Sequence, residues 1–91
     1  MYATKIKMKP GCRYSQDLME IDEIFIEGCQ TPGFYKKANV HDFVKNNPRT
    51  LFVKIPPYPE VLPATSMYGE KYVRSSPNST LRDNLLSLPR E

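Results

Sequence analysis

Near its C-terminal end the chain reads Thr80-Leu81-Arg82-Asp83-Asn84-Leu85-Leu86-Ser87-Leu88-Pro89. Four leucines fall within eight residues, in a region that frays unless something ties it down. A segment this apolar must dock. It is expected to lie as a lid over a small core, with a sheet made by the preceding residues beneath it. Thr80 with Asp83 three positions on suits a capping box, so a short helical turn is expected over about 81–87.

The rest of the chain must build that sheet. Tyr2, Thr4, Ile6 and Met8 alternate with Ala3, Lys5, Lys7 and Lys9. Period two with lysines on one face reads as a half-buried strand. Pro10-Gly11 ends it. Residues 18–27 admit two readings. Asp17 with Glu20 forms a fair capping box, and Leu18, Ile21 and Phe25 share a helical face. Ile24-Phe25-Ile26 followed by Gly28 favours a strand, and the strand is the stronger reading. Its alternation slips phase at Asp22-Glu23, which suits a bulge.

Charge is laid out in blocks. Residues 1–13 carry Lys5, Lys7, Lys9 and Arg13 and no acid; residues 14–27 carry Asp17, Glu20, Asp22, Glu23 and Glu27 and no base. An antiparallel hairpin would set the two blocks face to face as cross-strand ion pairs, which help fix register. The net charge of +3 leans only weakly toward anionic partners.

Cys29 to Ala38 reads as a loop around Pro32-Gly33. Asn39 can cap a helix over about 40–46, with Val40, Phe43 and Val44 as its apolar face; Asn46-Asn47-Pro48 stops it. Leu51 to Ile55 is the clearest strand. Pro56-Pro57-Tyr58-Pro59 breaks it, as a stiff connector rather than a polyproline ligand. Val61–Ser66 can pair only as an edge or a bulge because of Pro63. A turn at Met67–Glu70 returns the chain through Lys71–Arg74. Nine prolines against four glycines stiffen these connections. The order predicts one 1–91 domain of the α+β class: a small, mostly antiparallel sheet of four to five strands, one short helix and the terminal turn.

Tyr72-Val73-Arg74, then a turn, then Asp83-Asn84-Leu85-Leu86-Ser87-Leu88-Pro89 resembles the ending of a family of small bacterial and phage proteins known only as a domain of unknown function. The opening strand Ala3–Met8, the helix at Val40–Lys45 and the strand Phe52-Val53-Lys54 are similar to that family's pattern. Pro56 to Pro63 departs from its usual Gly-rich hairpin. The resemblance implies a small single-domain fold and brings no activity, cofactor or catalytic residue with it.

No motif announces an enzyme. His41 is the sole histidine and is expected on the exposed side of its helix. Cys12 and Cys29 are two soft ligands where a zinc site needs four, so no metal or cofactor is expected and two reduced thiols are. The acids of residues 20–27 alternate faces on a strand and read as a solvated surface. Asn78-Ser79-Thr80 fits a glycosylation sequon but reads as a plain loop. No signal peptide and no apolar run of about 18 residues is present, so a cytoplasmic protein is expected. The most suggestive surface is basic and aromatic: Phe34, Tyr35, Lys36 and Lys37, with Lys45 and Arg49 near in sequence. Such a set suits a protein partner, which is the leading expectation, and alternatively single-stranded nucleic acid. A non-enzymatic binding module follows, monomeric or dimeric through a free strand edge. On the resemblance alone, an accessory or inhibitor role in a phage or mobile element would fit.

Overall fold

The computed structural model describes residues 1–77 and 82–91. The sequon at Asn78-Ser79-Thr80, the Thr80 cap and the start of the terminal turn at Leu81 lie outside the described residues. The fold is α+β. Strand β1 spans Tyr2–Met8, β2 Ile21–Glu27, β3 Gly33–Lys36, β4 Phe52–Val53, β5 Val61–Thr65 and β6 Lys71–Ser75. Helix α1 spans Lys37–Asn46, and two 3₁₀ turns occupy Leu18–Glu20 and Asn84–Ser87.

The strands divide between two sheets. One has the order β3-β2-β1-β4, antiparallel except for the parallel β1–β4 pair; the other is the β5–β6 hairpin. Residues 59–61 join them. Val53 donates its N–H to the Pro59 carbonyl, and Val61 donates to that of Leu51. The hairpin therefore grows from the edge of β4 and folds back over α1. Pro63 sits opposite Val73 in this two-stranded ladder, the edge setting that a residue without an N–H requires.

The ambiguous stretch 18–27 divides. Leu18–Glu20 forms one 3₁₀ turn, capped where Met19 N–H donates to Asp17 Oδ1 at 2.9 Å, and the remainder is strand. Pairing shifts from Lys7 with Glu23 to Met8 with Ile21, so Asp22 is the extra residue of a bulge, where the alternation slips in the sequence. A second shift lies between Ala3 and Lys5. It reverses the inner phase of β1: Ala3, Ile6 and Met8 are buried, and Thr4 is not their equal. At the end of β2, Gly28 holds a φ of 82° and lies against the Met1 backbone, a conformation L side chains rarely adopt.

The helix starts three residues earlier than Asn39 predicts, with Lys36 at the N-cap and no side-chain cap bond. Its buried stripe is Lys37, Val40, His41 and Val44, the i, i+3, i+4, i+7 pattern of one face. Phe43 falls at the stripe's margin, 39% exposed. His41 is not a surface residue. It is 5% exposed, and its Nδ1 lies 3.0 Å from the Tyr72 carbonyl. A carbonyl only accepts, so Nδ1 carries the proton and ties α1 to β6.

The core gathers Ile6, Ile21 and Ile24 from the sheet, Val40 and Val44 from the helix, Val61 and Val73 from the hairpin, and Leu85, Leu86 and Leu88 from the tail. The tail is more than a lid. Ile6 N–H donates to the Pro89 carbonyl at 2.9 Å, and Glu91 N–H donates to the Ile6 carbonyl at 3.0 Å. It thus pairs with β1 beyond the point where β4 leaves.

Candidate functional site

Helix α1, the hairpin and the tail leucines cover the inner face of the larger sheet, and among the described residues the opposite face carries no helix. The register decides what that outer face presents. Phe34 pairs with Phe25, Phe25 with Lys5, Lys36 with Glu23, and Glu23 with Lys7. The Phe25 and Phe34 rings meet edge to face, centroids 5.0 Å apart at 85°. Lys5 Nζ lies 4.9 Å from the Phe25 ring centre, and Lys7 Nζ lies 4.7 Å from that of Phe34. Lys54 covers Tyr2 in the same way at 5.0 Å, and Tyr2 meets Tyr58. The lysine row of β1 is therefore not paired with the acids of β2 as the charge blocks suggest. A half-buried ring attracts an ammonium by its quadrupole and holds the lysine stem against apolar surface, worth roughly 0.5–1 kcal/mol at exposed sites. The acids pair elsewhere: Lys36 reaches Asp22 at 3.2 Å and Glu23 at 3.9 Å, from the neighbouring strand.

β3 is the edge of this sheet. Apart from its pairing with β2 and the start of α1, the backbone of Gly33–Lys36 makes no hydrogen bond among the described residues. On the inner side of the edge lies an open cavity of about 270 Å³. Met1, Ile26, Cys29, Tyr35, Asn39, Val40 and Phe43 line it. The Tyr35 hydroxyl donates to the Thr31 carbonyl, which holds the ring against the cavity mouth. Bare strand edge, apolar cavity below and aromatic–lysine surface above thus meet at four residues of backbone.

The residues expected to form a binding surface are divided by the fold. Phe34 and Lys36 point to the outer face, and Tyr35, between them, points to the cavity. Lys37 is 8% exposed and donates to the Met19 carbonyl and to Glu70, so it is a structural cation. Glu70 also receives Lys9 at 3.2 Å. Hydrogen bonds first from Lys37 and then from Lys9 hold the Glu70 carboxyl below the usual glutamate range, and the same bond raises Lys9. Lys45 is exposed in the last turn of α1. Arg49 has a φ of 60° and donates its backbone N–H to Glu60 at 2.6 Å, away from β3. Sequence reasoning missed Phe25 as a surface ring and Phe43 as a cavity wall. The signal for Phe25 was present: it is the out-of-phase residue between Ile24 and Ile26.

Both cysteines are free. The Cys12 thiol donates to Glu20 Oε2 at 3.0 Å, and Ser15 donates to the other oxygen. The adjacent carboxylate raises the thiol above its ordinary value, the reverse of what an activated nucleophile needs. Among the described residues no three His, Cys, Asp or Glu side chains converge as metal ligands, and no helix is long and apolar enough to cross a membrane.

A family described as protein of unknown function (DUF3892) matches residues 4–89, and the chain belongs to it. No curated protein and no solved structure matches.

Proposed function

We propose that this member of a family of unknown function is a non-catalytic binding module that takes an extended segment of a protein partner as an added strand on β3. One observation carries the reading: a strand edge without a partner among the described residues lies directly beside an apolar cavity. Strand addition needs both features. Main-chain hydrogen bonds supply affinity, and pockets for alternate side chains supply specificity. A strand laid beside Gly33–Lys36 would turn every second side chain inward toward Tyr35, Val40 and Phe43, so an apolar residue is expected there. The others would face Phe34 and Lys36. The cavity lining supports binding rather than chemistry, for its polar side chains are one thiol, one carboxamide and a phenol already engaged with Thr31.

The test is capture from a lysate, with and without nuclease, by the whole chain and by two variants. One protein should be retained in both conditions, lost with Phe43→Glu and kept with Lys45→Gln. On binding, the amides of Gly33–Lys36 should gain protection from hydrogen exchange. Capture indifferent to Phe43→Glu, or binding with no added protection on β3, overturns the reading.

A second reading has its own observation, the Phe25–Phe34 pair flanked by Lys5 and Lys7 on an open sheet face. Rings and cations so interleaved suit single-stranded nucleic acid. Asp22 and Glu23 offset Lys36, and Glu91 pairs with Lys5 at 3.2 Å, which weakens the pull on phosphates. Capture that vanishes with nuclease and with Lys7→Gln would favour this reading.

A further inference from the structure

A different concavity lies between the β1–β2 connection and the tail. Arg13, Tyr14 and Gln16 come from the connection, and Arg82, Ser87 and Arg90 from the tail, around about 410 Å³ of space. Three of its lining residues are arginines and none is acidic. This concentration of like charge is unusual for the molecule. Every ion pair among the described residues is made by a lysine: Lys5, Lys9, Lys36, Lys37 or Lys71. Arg13 and Arg90 reach no carboxylate among them.

The arginines are nevertheless placed. Arg90 donates through Nη1 to the carbonyls of Arg13 at 2.8 Å and Ser15 at 2.7 Å, and through Nη2 to that of Leu86 at 2.9 Å. Arg82 donates through Nε to Ser87 Oγ at 3.2 Å and through Nη1 to Gln16 Oε1 at 3.3 Å. The acceptors of Arg90 are backbone carbonyls. They hold its guanidinium plane but cancel no charge. Two N–H groups of Arg90, at Nε and Nη2, remain beyond the three it uses. At the rim, Tyr14 is 86% exposed.

We infer that this pocket binds a phosphate-bearing small anion. The guanidinium fork matches phosphate oxygens in pairs, and an anion lodged beside Arg90 and Arg13 offsets charge that carbonyl acceptors leave in place. Tyr14 stands where a ring attached to the phosphate would stack.

Calorimetric titration of the whole chain with inorganic pyrophosphate and with a nucleoside diphosphate tests this. Binding of at least one should weaken with added sodium chloride, and its dissociation constant should rise about tenfold in Arg13→Gln and again in Arg82→Gln. Lys54→Gln, on the outer sheet face, should leave it unchanged. Arg90 is left intact because it joins the tail to the connection. Tyr14→Ala separates the two sources: loss confined to the nucleoside diphosphate assigns a nucleotide, and equal retention of both assigns the bare phosphate group. No binding at millimolar concentration, or binding that Arg13→Gln and Lys54→Gln weaken equally, overturns the inference.

Discussion

Asp83 engages both carboxylate oxygens: Oδ1 accepts the Leu85 N–H and Oδ2 accepts the Ser75 N–H, each at 2.9 Å. One side chain therefore starts the terminal 3₁₀ turn and pins it to the end of β6. Asn84 beside it is 3% exposed, and its N–H donates to Ser75 Oγ at 3.3 Å. The Asp83 side chain so holds the tail's turn, as a short polar side chain that bonds nearby backbone can. Asp83→Ala should lower stability by about 1–2 kcal/mol, measured by denaturant unfolding, because it removes a cap and leaves the Ser75 amide without its acceptor. Residue-scale misreadings share one cause. Lys37 and His41 are polar letters on a short helix, and only partners about thirty positions away make burial tolerable: Glu70 for the first and the Tyr72 carbonyl for the second. Nothing local in the sequence announces such a partner.

At the scale of elements, the strands with clear alternation were legible and the short ones were not. The bulge at Asp22 showed because two isoleucine phases collide there. The bulge between Ala3 and Lys5 left no trace, because alanine and threonine fit either phase. Strand β3 was hidden by its length. Four residues starting from glycine, with one ring on each face, carry no period to recognise. The candidate site was correspondingly half legible: Phe34 and Lys36 do share a surface, but with Phe25, Lys5 and Lys7 rather than with Lys45 and Arg49. The tail was the most legible element, and its leucines are the ones to test. Leu85 is fully buried, so Leu85→Ala should cost about 2–5 kcal/mol. Phe25→Ala on the outer face should cost less in the same unfolding assay, since its ring is only half-buried.

For the whole molecule, the Lys9–Glu70–Lys37 cluster joins β1, the β5–β6 turn and α1. Its pH dependence follows from the sign of each shift. Glu70 ionises below the ordinary glutamate value of 4.5 in the folded chain, so its contribution is complete above that value and is lost as pH falls through the lower, folded one. Glu20 and Asp42 are lowered in the same sense, by Ser15 and Lys71 first. Lys9 is raised, so its share is lost only at pH above 10.5. A melting-temperature profile should be level near neutrality and fall on acidification below pH 4.5. Glu70→Gln should lower the plateau and shallow the acid limb without abolishing it. An acid limb as steep as that of the unaltered chain would remove Glu70 from this account.

The backbone bonds between Ile6 and residues 89–91 also bear on the order of events during synthesis. β1 leaves the ribosome more than eighty residues before the segment that completes its edge. Local contacts such as the β1–β2 hairpin can form at once, but this closure must wait for nearly the whole described chain and then meet the entropy of a long loop. Through that interval part of β1 is an open strand edge, the kind of surface on which nascent chains mispair. The rings and lysines along it travel through the same interval beside an unfinished sheet.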